Sequence, residues 1–119
     1  MTSTMDISKP NDYGALNGGI LRIVARHGAR SYAGVKIAFC EDGFFRFSIE
    51  LQYSYGGFGG PVFDTSDGYT TEAAAETAGT ENLLRKWPKA FGSEPASVHE
   101  ELLAMRRQIE AQLLQPSLF

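Results

Sequence analysis

The chain has 119 residues and a formal net charge of −3, with 43% of its residues hydrophobic and 21% charged. This length suits one domain with one modest core, and the hydrophobic content argues against wholesale disorder. The acidic balance argues against bulk electrostatic binding to nucleic acid, although it does not exclude a local basic patch.

Composition divides the chain into three parts. Residues 1–17 are dominated by Ser, Thr, Asp, Asn, Pro and Gly, which predicts a flexible N-terminal lead-in. A single α+β domain is expected over residues 18–114, and residues 115–119 follow it as a short peptide motif. Three strands open the domain, at about residues 20–26, 34–40 and 43–55.

The third strand has the clearest pattern. Its apolar residues, from Phe45 to Tyr55, alternate with polar ones at a period of two, which a helix does not produce. A three-residue loop over residues 41–43 would keep the apolar residues of the second and third strands on one face. The pairs that this loop predicts are Phe39 with Phe45, Ile37 with Phe47 and Val35 with Ile49.

The first strand and a glycine-rich stretch complete the predicted sheet. Alternation in the first strand places Leu21, Ile23 and Ala25 on the inner face, with Ile23 near Ile37. Residues 56–61, which are mostly glycine, predict a break after the third strand, as a flexible loop or a strand irregularity. They lack the lysine of a phosphate-binding loop and the spacing of a dinucleotide fingerprint.

A first helix is predicted from about residue 71 to residue 87. Thr70 or Thr71 can cap its N-terminus, Glu72 favours the positive end of the helix dipole, and Pro88 follows its last residue. Its first half is rich in alanine, and such small side chains allow a helix to approach a sheet closely.

A second helix is predicted to begin near Ser97, which can form a capping box with Glu100. An apolar stripe follows this helix at spacings of four and three: Val98, Leu102, Met105, Ile109 and Leu113. The stripe either packs on the same core or pairs with a second copy of the chain, as a homodimer. The predicted fold is α+β, a three-stranded antiparallel meander packed with one helix, plus a C-terminal amphipathic helix and a short extended tail.

Few residues suit catalysis or metal binding. The histidines are His27, in a polar loop, and His99, whose neighbours Glu100 and Glu101 cannot join it around a metal because consecutive helix positions point apart. The single Cys40 excludes an intramolecular disulfide and a cysteine-based zinc site, and we interpret it as a structural thiol. We therefore expect a protein that is not an enzyme and that needs no metal or cofactor.

Export and membrane insertion are not predicted. Residues 1–13 are polar and lack the apolar stretch of a signal peptide. No run approaches the roughly 18 apolar residues of a membrane span. We expect a cytoplasmic protein without a membrane partner.

The tail that follows the second helix, residues 115–119, is the most informative feature. Pro116 ends the helix, and exposed apolar side chains such as Leu118 and Phe119 often mark a contact. The tail resembles the short peptide by which bacterial sliding-clamp-binding proteins of replication and repair dock onto the clamp of DNA polymerase. The matching residues are Gln115, Ser117, Leu118 and Phe119. Pro116 stands where that pattern usually has Leu, and the resemblance covers only these five residues.

This resemblance implies a role for each matching side chain. Leu118 and Phe119 would be the anchors, each contributing roughly 1.5–3 kcal/mol on full burial. Gln115 would make polar contacts, and Pro116 restricts the backbone before docking. The alternative is a tail that folds back onto its own core through Leu118 and Phe119.

A second candidate surface is the outer face of the sheet. If the alternation holds, basic side chains of neighbouring strands point outward together, beside one aromatic ring. These residues are Arg22, Arg26, Lys36 and Arg46, with Phe44 nearby. Positive charge and an aromatic ring suit nucleic-acid backbones and bases. A solvated face with scattered charges, Glu50 among them, is the alternative.

Two functions are therefore predicted, in order. The first is a small non-enzymatic protein that binds the bacterial sliding clamp through its tail, as a recruiter or an inhibitor. The second is a nucleic-acid-binding accessory protein that uses the basic outer face of its sheet, with the tail packed internally.

Overall fold

The computed structural model describes residues 5–89 and 94–114. Within these ranges a curled mixed sheet of five strands carries two helices, so the predicted α+β class is confirmed. The strands are β1 (Ile7–Ser8), β2 (Ile20–His27), β3 (Ser31–Cys40), β4 (Phe45–Tyr53) and β5 (Gly56–Phe58). The helices are α1 (Glu72–Arg85) and α2 (Ala96–Leu114).

Strand β3 is the centre of the sheet. It pairs antiparallel with β4 along one edge, and β4 pairs antiparallel with β5. Along its other edge β3 pairs antiparallel with β2 and, near its end, parallel with β1. The sheet is therefore mixed and has five strands, where an antiparallel meander of three strands was predicted.

Regular structure begins at Ile7, before the predicted start at residues 18–19. Asn11 explains the difference, because its side-chain oxygen accepts hydrogen bonds from the backbone N–H groups of Tyr13 and Ala15. Such side-chain-to-backbone bonds reverse the chain locally. The reversal lets β1 lie beside the end of β3, where Ser8 pairs with Cys40.

The loop between β3 and β4 has the three residues that were predicted from the apolar faces of the two strands. Phe39 pairs with Phe45, and the register continues through the other predicted pairs, Ile37 with Phe47 and Val35 with Ile49. Gly43 adopts a φ of 87°, the left-handed conformation that glycine takes without steric cost. The prediction of this register is confirmed.

The prediction of which β2 side chains lie on the inner face is wrong for the first half of the strand. A β-bulge interrupts the β2–β3 ladder between Ile23 and Ala25. The alternation of side chains between the two faces of the sheet therefore shifts by one residue there. Ile23 pairs with Gly34, not near Ile37, and lies on the outer face. Glycine suits position 34 because a Cβ there would come within 2.9 Å of the Arg22 carbonyl oxygen.

The glycine-rich stretch after β4 also differs from its prediction. Residues 56–58 form β5, which pairs with β4 through Leu51 and Phe58. A Cβ at Gly57 would overlap the Leu51 carbonyl oxygen and lie 3.1 Å from the Cα of Gln52. Glycine therefore permits a close strand approach here, where composition alone predicted a break.

The helix boundaries agree with the prediction at one end and differ at others. Thr71 caps α1, accepting a hydrogen bond from the backbone N–H of Ala74 at 3.0 Å. Helix α1 ends at Arg85, two residues before the predicted end. Helix α2 begins at Ala96, so Ser97 lies inside its first turn. Ser97 therefore does not cap the helix, contrary to the prediction.

The apolar core lies between the sheet and both helices. Helix α1 packs on β3 and β4, while α2 packs on β2 and on α1. Four members of the predicted α2 stripe are buried: Val98, Leu102, Met105 and Ile109. Leu113, the fifth, is partly buried against the same cluster. Packing on the same core, the first of the two predicted alternatives, is the arrangement in this structure.

A second, smaller cluster covers part of the opposite face of the sheet. It comprises Leu16, Ala38, Cys40 and Val62, all buried. Cys40 is a free thiol inside this cluster, in keeping with a structural role. In the described ranges, neither helix has the length and apolar character needed to cross a bilayer.

Gly79 sets how closely α1 approaches the sheet. A Cβ at this position would overlap Cγ1 of Val35 and lie 3.2 Å from the ring of Phe47. Helix propensity alone predicts that Gly79→Ala stabilises the protein by about 1 kcal/mol. We expect the opposite, a loss of about 1–3 kcal/mol, because overpacking forces α1 away from buried β3.

Urea unfolding measures this change directly. The same substitution in a Val35→Ala background should cost much less, because the overlapping methyl group is gone. A stabilised Gly79→Ala variant would show that the helix does not lie this close to the sheet.

Candidate functional site

The tail motif, residues 115–119, lies outside the described residues. The structure does show where the chain leads into it. Leu113 packs against the core, whereas the next residue, Leu114, has 82% of its surface exposed. Helix α2 thus packs on the core up to Leu113, and the side chain of Leu114, the last described residue, is exposed to solvent.

Arg22 does not lie on the outer face with the other predicted basic residues. It pairs with Val35, whose side chain is buried beneath α1, so Arg22 points towards the helices. Its guanidinium donates to the carboxylate of Glu72 in α1 at 2.9 Å. The β-bulge accounts for this difference, because it reverses the alternation that the prediction assumed across β2.

The remaining basic residues share the outer face but are spread along it. Arg26 pairs with Tyr32, whereas Arg46 pairs with Ala38, six residues further along β3. At about 3.3 Å per residue this separates their backbones by roughly 20 Å. Lys36 lies between them, with its ammonium 3.9 Å from the carboxylate of Glu50.

Arg46 is the most constrained of these cations. Its guanidinium donates to both carboxylate oxygens of Asp42, at 3.0 and 2.8 Å, and to the Ser66 carbonyl oxygen at 2.8 Å. The hydrogen bonds that Arg46 donates to Asp42 raise the pKa of Arg46, with a further contribution from Cys40, and lower the pKa of Asp42. Phe44 is 40% exposed beside this pair, near Gly68. The guanidinium of Arg46 therefore stabilises the β3–β4 loop through Asp42 and connects it to Ser66.

Glu101 is a buried carboxylate that the sequence analysis did not select. It receives hydrogen bonds from the hydroxyl of Ser31, at the start of β3, and from the backbone N–H of Ser54 at 2.9 Å. The Ser54 hydroxyl donates to its other oxygen at 2.6 Å. Helix α2 is thereby fastened both to β3 and to the turn between β4 and β5.

The pKa of Glu101 reflects two opposing effects. Burial raises it, but the hydrogen bonds from Ser31 and Ser54, together with the nearby His27, outweigh burial and lower the pKa overall. Spacing offered a signal: Glu101 lies three residues after Val98 and four before Met105, on the buried stripe of α2. A carboxylate at such a position requires partners. The geometry anchors the helix and does not present a reactive group.

Helix α2 also covers the free edge of β2. The Gln108 side chain accepts from the Arg26 backbone N–H at 3.0 Å and donates to its carbonyl oxygen at 2.8 Å. Gln112, one turn later, donates to the Val24 carbonyl oxygen. Two glutamines thus take the place of a neighbouring strand and protect an edge that could pair with another chain.

No cluster of three or more His, Cys, Asp or Glu side chains suited to a metal ion occurs within residues 5–89 and 94–114. Comparison with known proteins gave no match to a family model, a curated protein or a solved structure.

Proposed function

We propose that this protein binds the bacterial sliding clamp through residues 115–119, as a recruiter or an inhibitor. The match of Gln115, Ser117, Leu118 and Phe119 to the clamp-binding peptide carries the proposal. Its structural support is the 82% exposure of Leu114 at the end of α2.

The buried state of α2 adds to this support. Its apolar stripe is used inside the protein, so the described core does not need Leu118 and Phe119 to cover it. An extended peptide binds by placing its large side chains in pockets of a partner. Leu118 and Phe119 would provide most of that contact, with Gln115 supplying hydrogen bonds.

Isothermal titration calorimetry with a purified bacterial sliding clamp tests the proposal. We expect the intact chain to bind, and the double variant Leu118→Ala/Phe119→Ala to bind at least about 30-fold more weakly, because two apolar anchors are removed. Leu114→Ala is the matched control, since it removes an equally large apolar side chain just outside the motif.

Two results would contradict the proposal. One is the absence of heat of binding for the intact chain at two temperatures and at clamp concentrations of about 100 μM, where a complex with a dissociation constant of about 10 μM or tighter is largely formed. The other is equal affinity for the intact chain and the double variant, which would place the contact elsewhere on the protein.

A further inference from the structure

A second surface stands apart from the tail. A cleft of about 570 Å³ lies between the β4–β5 hairpin and the C-terminal half of α1. Phe47, Ile49 and Phe58 line it from the sheet, and Phe63 lines it from the loop after β5. Its volume lies within the range of about 300–1,000 Å³ that is typical of small-molecule sites.

The cleft keeps large apolar side chains in contact with water. Phe58 is 36% exposed and Phe63 is 44% exposed, and both rings line the same cavity. Apolar surface left in water is unfavourable at roughly 25 cal/mol per Å², so a body that covers these rings gains free energy. Aromatic rings favour an aromatic occupant, through offset or edge-to-face contacts.

The polar side chains of the cleft show which group the occupant should carry. The Ser48 hydroxyl is already used, donating to the Gly60 carbonyl oxygen at 3.0 Å. The Ser66 hydroxyl donates to the Phe63 carbonyl oxygen at 2.7 Å. The first bond holds the glycine-rich stretch against β4, and the second lies within the turn over residues 63–66. Among the described lining residues, Asn82 and Lys86 are the other polar side chains.

Lys86 supplies the charge. Among the described residues it is the only charged side chain that lines the cleft, and no carboxylate of those residues forms an ion pair with it. Asn82 lies four residues earlier on α1, so the amide and the ammonium share one side of the helix. An ammonium and an amide beside aromatic rings complement a carboxylate attached to an apolar body.

We propose that this cleft binds a small-molecule carboxylate with an aromatic body, its ring against Phe47, Phe58 and Phe63 and its carboxylate at Lys86 and Asn82. Described residues outside the tail motif carry this proposal, so its test is separate from that of clamp binding. The charged pair is solvent-exposed and therefore contributes on the order of 1 kcal/mol, which corresponds to about fivefold in affinity.

The test uses the full chain labelled with ¹⁵N and two probes of equal size, 4-phenylbutyrate and its neutral amide. We expect both to shift the backbone amide signals of Gly59, Gly60, Asn82 and Lys86, with the carboxylate binding about fivefold more tightly. Lys86→Met should remove this preference while keeping the apolar contact. Lys89→Met, at a lysine outside the cleft, should keep it.

Three results would overturn the proposal. The first is the absence of localised shifts at probe concentrations up to about 5 mM. The second is an equal effect of Lys86→Met and Lys89→Met on the preference for the carboxylate. The third is binding at this cleft of a synthetic peptide of residues 115–119, amidated at its C-terminus, that is tighter than the binding of 4-phenylbutyrate. The occupant would then be a peptide segment and not a small acid.

Discussion

Leu102→Asp is expected to cause the largest loss of folding stability. Leu102 is 4% exposed at the centre of the α2 stripe, between α2 and the sheet. An aspartate there loses the apolar contact and buries a charge without a partner, which costs about 4 kcal/mol or more. Domains of this size are stable by only about 5–15 kcal/mol, so the loss is a large share of the total.

The neighbouring residue provides a matched control. Leu103 is 46% exposed on the same helix, so Leu103→Asp introduces the same charge without burying it. Its effect should stay within about 1 kcal/mol, mostly from helix propensity. Circular dichroism during urea unfolding measures both variants. Equal stability of the two would show that the stripe is not a packing face.

Glu101→Ala is expected to cost about 3 kcal/mol, the second largest effect. The substitution removes the acceptor for three hydrogen bonds and leaves the Ser54 backbone N–H without a protein partner. For a chain of this length that loss lowers the melting temperature by roughly 10 °C. Glu100→Ala, at the adjacent exposed position, should change it by no more than about 2 °C.

Glu101 also predicts a dependence of stability on pH. Its pKa in the folded protein lies below the ordinary value of 4.5, so the ionised form is favoured by folding. This contribution is complete above the pKa of the unfolded chain and is lost as the pH falls through the pKa of the folded protein. We expect the stability difference between the wild type and Glu101→Gln to shrink as the pH falls below about 4.5. A difference that is constant from pH 7 to pH 3 would contradict the predicted ionisation.

The sequence predicted the β3–β4 hairpin because three independent signals agreed. Alternation over β4, the left-handed capacity of Gly43 and the pairing of Phe39 with Phe45 all required the same three-residue loop. The α2 stripe was predictable for a similar reason, since its period is long and regular. Such agreement between local pattern and tertiary packing is what makes a register predictable.

Alternation failed where the backbone departs from a regular ladder. The bulge in β2 has no sequence signature as strong as a glycine, because Ile23, Val24 and Ala25 all suit a regular strand. One extra residue reverses the face of every earlier side chain, which moved Arg22 to the helix side. The other three predicted basic residues, Arg26, Lys36 and Arg46, stay on the outer face.

Hydrogen bonds between residues distant in the sequence were the other feature that could not be predicted. Glu101 meets Ser31 and Ser54, and Gln108 meets Arg26, across 47 to 82 positions of the chain. Helical spacing could show that Glu101 lies on the buried stripe, but not which hydroxyl groups satisfy it. The tail motif is different, because a short linear peptide is predicted from sequence alone, and residues 115–119 lie outside the described residues.

Thermal unfolding of Leu118→Asp/Phe119→Asp tests most directly whether the tail is a ligand and not part of the core. The double variant should melt within about 1 °C of the wild type and should not bind the clamp. Leu113→Asp, which changes an α2 residue partly buried against the core, should melt several degrees lower. A fall in melting temperature of the double variant as large as that of Leu113→Asp would show that Leu118 and Phe119 pack internally, and clamp binding through the tail would be abandoned.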